Sequence, residues 1–493
     1  MTRSASLKRA SIVFVACMVL YTLAMQREPY GDGISYLTWL RDSNFVAHHL
    51  FYLPPMWVFA RVVELVGLSE RSAAFAYSAF CAAAGSGILT YLLARSKRFA
   101  RGCTCPVRLA LLVATTPAMI FYATTVENHA NHYLWICVML FALDRALDPD
   151  QPARPLRWFL AGIALLLAFS SHVTSGLLWP ALALVVHASH GSLLRRPTVR
   201  DVWVQALFFG PSIAFLFGQS QILVWLSGDE NWGKNASGSF AWSLLAWRSL
   251  ETWFDYFVHE LVLPFWGFVW GLLALGIRRF KGQRLEALLA VCAVLPYFLF
   301  FGHWNVREFG AYYLPLLPVL VIGIGRLMPA LRREESIALI VLIVAQGIQG
   351  TIHSVNWVTD QVNPPWTWAD DAVAVAGPQG TILCWDGMRA LHVEYDHEGC
   401  KAIPLHNWTL TLSGPSSLDP DLWAKVGDHQ LIDILRETHA RGGRLVVGRD
   451  LVERIDHDPA LVRVRPFVSK LRALGLESAD RGIFRGWVVK KDG

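Results

Sequence analysis

The chain has 493 residues, of which 54% are hydrophobic and 17% charged, with a mean hydropathy of +0.37; soluble domains usually carry about 25% charged residues. The apolar residues fall in charge-poor blocks of about the 20 residues that cross a bilayer, which excludes a soluble enzyme and predicts a polytopic α-helical membrane protein. The net charge of +6 does not point to nucleic acid, because Lys and Arg sit in short clusters between the apolar blocks, as in cytoplasmic loops.

In chain order, Arg3, Lys8 and Arg9 precede the apolar run Ala10 to Met25. A cleaved signal peptide begins this way, but no small-x-small cleavage site follows and many apolar blocks come later. An uncleaved first span near 11–27 with a cytoplasmic N-terminus is therefore predicted. Residues 28–70 form a long external loop. Its stretch 50–67 is apolar enough to look like a span. A crossing there would put Arg95, Lys97, Arg98 and Arg101 outside, so it is read as a helix lying in the interface. Ten more spans are predicted near 72–94, 106–124, 132–147, 158–172, 174–189, 203–227, 258–277, 286–302, 311–329 and 336–353, for about 11 transmembrane helices in all. The inside loops then hold the basic clusters Arg195, Arg196 and Arg200, Arg278 to Arg284, and Arg326 to Arg333.

The composition changes after about residue 355, where Pro364 and Pro365 mark a linker. The tail, 356–493, reads as a soluble α/β domain, with strands at Thr381–Trp385, Arg444–Val447 and Gly486–Val489 and a helix at Leu431–Ala440. An odd number of spans places it on the extracytoplasmic side, periplasmic or extracellular. Cys384 and Cys400 are the two cysteines of this tail, and an oxidising compartment would allow them to pair.

The polar residues that could carry chemistry gather at the outer ends of the spans. External loop one opens Glu28-Pro29-Tyr30-Gly31-Asp32-Gly33. Asp32 stands between two glycines, which permit unusual backbone angles and close approach of a ligand. It is either a general base at the membrane surface or an ordinary turn aspartate. The same loop continues His48-His49-Leu50-Phe51-Tyr52-Leu53-Pro54-Pro55 and ends Gly67-Leu68-Ser69-Glu70. A second short loop carries Glu127-Asn128-His129-Ala130-Asn131-His132. His129 and His132 share a helix face at a spacing of three, and such groups at a span boundary are costly unless paired or functional. One acid with two histidines is not a specific zinc pattern; an interfacial hydrogen-bond cluster is the alternative. A third polar turn, Ser170-Ser171-His172-Val173-Thr174-Ser175, interrupts an apolar stretch. The loop before 311–329 holds Arg307, whose planar fork of donors suits phosphate, followed by Glu308 and Tyr312-Tyr313-Leu314-Pro315-Leu316-Leu317-Pro318.

In their order and spacing these segments resemble the GT-C superfamily of polyprenyl-phosphate-sugar-dependent glycosyltransferases, in the branch of aminoarabinose transferases and protein O-mannosyltransferases. The resemblance covers about residues 10–355 and implies a GT-C-like fold for 1–355, with 356–493 a separate domain. It implies an inverting transfer of a sugar from a polyprenyl-phosphate donor to an extracytoplasmic acceptor, whether protein, lipid or glycan. Asp32 then takes the role of catalytic base, and Glu127 that of a second catalytic or metal-linked acid. His48, His49, His129, His172, Arg307 and Tyr312 become candidate substrate contacts, with Arg307 on the lipid-linked phosphate. A divalent cation, Mg or Mn, held by Asp32, Glu127 and His129 stays open, because Gly33 stands where many members have a second acid. The other partners expected are membrane lipids, and no nucleic acid. A transporter or flippase of a lipid-linked substrate is the first rival, although it would place polar residues near mid-span and usually show an internal repeat. A non-catalytic assembly protein is the second.

Overall fold

The computed structural model describes residues 2–43, 50–96, 99, 103–148, 154–188, 196–227, 249–276, 284–304, 307–327, 331–405, 428–458, 461 and 465–490. The chain forms two compact units, one of Met1–Pro29 with Ser43–Trp357, the other of Tyr30–Asp42 with Val358–Gly493. Residues 30–42, which include Asp32, thus group with the C-terminal α/β unit rather than with the helices that flank them in sequence.

The first unit is helical. α1 (Arg3–Leu23) starts at Thr2, whose hydroxyl accepts from the Ala5 amide. The short α2 (Gly33–Arg41) belongs to the second unit. α3 (Leu53–Glu64) has 12 residues, about 18 Å of axis, and is shorter than the roughly 30 Å hydrocarbon layer. α4 (Glu70–Arg95) is capped by the Ser69 hydroxyl and packs on α1.

The predicted span 106–124 is a broken helix. α5 (Pro106–Ala114) and α6 (Pro117–Ala123) meet at 68°. Pro117 has no N–H to continue the ladder and pushes the residue before it out of helical geometry. Thr116 is accordingly extended, and its hydroxyl caps Met119 at 3.3 Å. α7 (His129–Ala146) and α8 (Pro155–Ser171) follow, then a 3-10 turn (Val173–Leu178), α9 (Trp179–Ala188) and α10 (Val199–Ser227). The predicted span 258–277 begins with a π-helical turn, Val258–Val262, and is kinked at Phe265. Helices at Arg284–Trp304, Leu316–Leu327 and Arg333–Asp360 complete the series. Among the described residues four helices are long and apolar enough to cross a membrane: α1, α4, α10 and the one beginning at Arg333. The bent α5–α6 pair makes a fifth if it is one span, and the other apolar helices are shorter.

The second unit is an α/β fold around a five-stranded sheet of order β2-β1-β3-β5-β4. The strands are β1 (Thr381–Cys384), β2 (Lys401–Pro404), β3 (Leu445–Gly448), β4 (Leu476–Ser478) and β5 (Gly486–Val489). β1 pairs in parallel with β2 and β3, and β5 runs antiparallel to β3 and β4. Alternate residues feed two cores, Leu383, Leu445 and Val447 in one, Ile382, Cys384 and Val446 in the other. α2 packs on the Gly387–Asp396 helix, where Arg41 donates to the Glu394 carbonyl at 3.3 Å and lies over the Tyr395 ring.

The Cys384–Cys400 disulfide does not form; both are free, buried thiols. The register explains it. Cys384 lies opposite Pro404, whereas Cys400 precedes Lys401, the partner of Thr381 at the other end of the pair. Four residues of strand separate them by about 13 Å at 3.3 Å per residue, beyond the roughly 7 Å that a disulfide bridges. Burial also pushes the Cys400 thiol up to about 11, so it stays protonated and unreactive.

Close helix packing in the first unit can be tested at a glycine. A Cβ on Gly162 of α8 would sit 2.4 Å from the Leu207 carbonyl oxygen of α10, whereas one on Gly210 would meet nothing within 4 Å. Gly162→Ala is expected to destabilise the protein by about 1–3 kcal/mol through overpacking. Gly210→Ala is expected to be neutral or slightly stabilising, since alanine favours a helix by about 1 kcal/mol over glycine. Thermal unfolding in detergent compares the two.

Candidate functional site

The polar residues of the first unit meet where three chain breaks converge: the loop between α6 and α7, the turn after α8, and the loop 307–313. The first is anchored by Gln26, just beyond α1. Its amide nitrogen donates to the Phe121 carbonyl at 3.1 Å and to the Thr124 hydroxyl at 3.2 Å. This fixes the start of α7, where Glu127 is buried with a carboxylate oxygen 3.3 Å from the Asn128 amide. A helix N-terminus favours that negative charge.

α7 then presents three polar residues. Asn131 is structural: it accepts from Tyr77 at 2.8 Å and donates to the Phe51 carbonyl and the Ser171 hydroxyl. His129 and His132 lie one turn apart and are buried, as their spacing implies. Nε2 of His132 is 2.6 Å from the Ser175 hydroxyl. His172 ends α8 in extended conformation, and its Nδ1 accepts from the Thr174 amide at 3.3 Å. With Nδ1 an acceptor, the proton of the neutral ring lies on Nε2. The His132 and His172 rings stack at 5.3 Å between centroids, and His129 stands 5.7 Å from His172. Tyr297 holds the turn by donating to the Thr174 carbonyl at 2.9 Å.

The third loop closes the cluster. Tyr312 packs 5.5 Å from both His129 and His172, stacks on Phe301, and donates to Oε1 of Glu308 at 2.9 Å. His129 Nε2 donates to the other oxygen of Glu308 at 3.2 Å. The Tyr122 hydroxyl donates to the Glu308 backbone carbonyl. Glu308 therefore ties its own loop to α6 and α7, and with 31% of its side chain exposed it leads from the buried imidazoles to the surface. The loop is shaped by Glu260, a buried acid in the π-helical turn, whose carboxylate accepts from the amides of Glu308 at 3.2 Å and Gly310 at 2.8 Å. π-Helical turns of this kind often occur at functional sites. Phe309 and Gly310 both have positive φ, 43° and 78°.

Of the residues singled out from sequence, the structure thus brings His129, His172 and Tyr312 into one cluster, with Glu127 at the head of α7. Arg307 lies at the cluster's exposed end and pairs with Asp255, which also holds His259 at 3.3 Å. Asp32 is the N-cap residue of α2 in the second unit; its backbone carbonyl accepts from Tyr36, and its carboxylate makes no capping bond to the helix. His48 and His49 lie outside the described residues. Among the described residues no set of three or more His, Cys, Asp and Glu side chains is arranged to hold a metal ion. Sequence reasoning passed over Glu308, Glu260, Tyr122 and Asp255. Glu308 was visible only as a neighbour of Arg307, and Glu260 was hidden inside a predicted span.

The turn gives a sharp test. A Cβ on Gly310 would lie 2.5 Å from the Phe265 ring, at a backbone angle that L-residues rarely adopt. Gly310→Ala is expected to displace Glu308 and Tyr312, lowering the melting temperature and reducing any ligand binding at the histidine cluster at least tenfold. Calorimetry and ligand titration on the purified variant would show both effects.

No protein-family model matches the chain, and no curated protein matches it. Solved structures do. ArnT from Cupriavidus metallidurans in the apo state is similar over 97% of both chains at 14% identity, with a TM-score of 0.60. The same protein bound to undecaprenyl phosphate gives a TM-score of 0.62 over the same coverage and identity. The arabinofuranosyltransferase AftD from Mycobacteria is similar over the whole of this chain and 40% of its own, at 14% identity and a TM-score of 0.53. This chain shares its fold with these solved structures.

Proposed function

We propose that the protein is an integral-membrane glycosyltransferase. It moves a sugar from a polyprenyl-phosphate donor to an extracytoplasmic acceptor, with inversion at the anomeric carbon. The observation that carries this reading is the buried face of His129, His132, His172 and Tyr312, joined to Glu308 and flanked by Arg307, in a fold shared with a protein solved with undecaprenyl phosphate. Buried imidazoles at the ends of apolar helices suit a lipid donor, whose chain stays in hydrocarbon while its phosphate and sugar reach a polar surface.

The residues divide the work by chemistry. The histidines and Tyr312 offer hydrogen-bond donors and acceptors for sugar hydroxyls and phosphate oxygens. Arg307, balanced by Asp255 in the structure, exchanges that carboxylate for the donor phosphate and offsets the charge that grows on the leaving group. Glu127, at the head of α7, positions the neighbouring His129. On the sequence resemblance, Asp32 is the general base and His48 and His49 are further donor contacts. An acceptor hydroxyl or amine attacks the anomeric carbon, the carbon–oxygen bond to phosphate breaks, its electron pair leaves with polyprenyl phosphate, and the acceptor proton passes to Asp32. The topology proposed with it is about 11 spans, a cytoplasmic N-terminus, and residues 356–493 on the extracytoplasmic side.

General-base catalysis contributes about 10²- to 10⁴-fold. Asp32→Asn is therefore expected to lower sugar transfer at least about 100-fold, with expression and polyprenyl-phosphate binding retained. A transfer assay with the purified variant tests this; unchanged turnover would remove Asp32 from the mechanism.

A further inference from the structure

We propose that a groove among α1, α4 and α7, at the opposite ends of α4 and α7 from Ser69 and Glu127, binds one acyl chain of an anionic glycerophospholipid, with the lipid phosphate between Arg3 and Arg145. α1 begins at Arg3, α4 ends at Arg95 one turn beyond Tyr91, and α7 ends at Ala146 beside Arg145. Arg3, Tyr91 and Arg145 line the same cavity, of about 440 Å³. Its walls are apolar, Leu7, Ile88 and Phe141, over a floor of Ala84 and Gly87. The floor is low because α1 and α4 approach closely: a Cβ on Gly87 would already stand 3.4 Å from the Ala10 carbonyl oxygen. Phe14, packed edge-on against Phe80, closes the far end.

Length and charge together select the occupant. From Arg3 to Phe14 the groove covers about 16 Å at 1.5 Å per residue, about half the 30 Å hydrocarbon thickness of a bilayer, which is the depth of one leaflet. A single acyl chain fits that depth, with its head at the mouth. There, among the described residues, neither arginine has an ion-pair partner. The acid next to Arg145, Asp144, accepts a hydrogen bond from the Ser96 hydroxyl and stands within electrostatic range of Arg145 without a direct ion pair, and the Arg145 guanidinium lies over the Phe141 ring, 5.4 Å from its centroid. Two exposed arginines at the rim of an apolar groove complement a phosphodiester that carries no balancing cation. A zwitterionic headgroup would bring its own positive charge against them. Anionic headgroups also attract basic residues at the membrane surface generally; the groove adds a fixed place for the chain.

The test is native mass spectrometry of the full-length, delipidated protein in detergent, titrated with phosphatidylglycerol or with phosphatidylcholine of the same acyl chains. The expected result is at least fivefold greater retention of phosphatidylglycerol, undisturbed by millimolar inorganic phosphate. The Arg3→Gln/Arg145→Gln double variant is expected to lose that preference, and Ala84→Leu, which fills the groove, to retain less of both lipids. Both arginine side chains are exposed, so the double variant decides the matter even if Ala84→Leu does not fold. Equal retention of the two lipids by the unaltered chain, survival of the preference in the double variant, or displacement by free phosphate would each overturn the proposal.

Discussion

A backbone group that leaves a helix inside an apolar layer must find another partner, because unsatisfied N–H and C=O groups cost several kcal/mol there. The helical unit is organised by that constraint. Among the described residues, several breaks are met by a side chain from elsewhere in the chain. At the α5–α6 break, the Gln346 amide donates to the Leu112 carbonyl at 2.7 Å and the Thr115 hydroxyl at 2.8 Å, and Tyr21 donates to the Ala114 carbonyl at 2.9 Å. Gln26 serves the end of α6, Tyr297 the turn after α8, and Glu260 the 308–310 turn. Three of these breaks bring His129, His172 and Tyr312 side by side.

The same constraint explains what could be read in the sequence. Apolar blocks, basic clusters and the polar turns at 125–132, 170–175 and 303–313 are local signals, and they located most of the helices and the three loops that meet. The spacing of His129 and His132 was enough to put them on one face. Four tail segments also announced themselves, because β1, β3 and β5 are apolar runs beside glycines and the Asp428–Ala440 helix has an amphipathic face. The partners of the breaks were not legible. Gln346 lies 231 residues from Thr115, and Glu260 looks like a stray acid in an apolar span until the 308–310 amides are seen around it. Composition made 106–124 a single span, and the break at Pro117 emerged only in the structure. The edge strands β2 and β4 were missed for a different reason: one is short and ends in proline, the other has three residues, as edges often do.

Glu308 changes the character of the site. From sequence, the loop's chemistry rested on Arg307 and Tyr312, and Asp32, Glu127 and His129 were a possible metal set. In the structure the carboxylate of Glu308 is shared by His129 and Tyr312, and Arg307 is held by Asp255. The cluster is thus a network of packed imidazole and phenol rings with an acid at its exposed edge and Arg307 beside it. Such a network can order a polar headgroup and then receive a phosphate by exchanging one anion for another.

The central claim is that this cluster receives the phosphate of a lipid-linked sugar. A cryo-electron microscopy map of the full-length protein with added polyprenyl phosphate tests it most directly. The account predicts phosphate density within hydrogen-bond reach of the Arg307 guanidinium and the His129–His172–Tyr312 face, with the Arg307–Asp255 pair opened. Lipid phosphate density elsewhere, with that pair still closed, would contradict it.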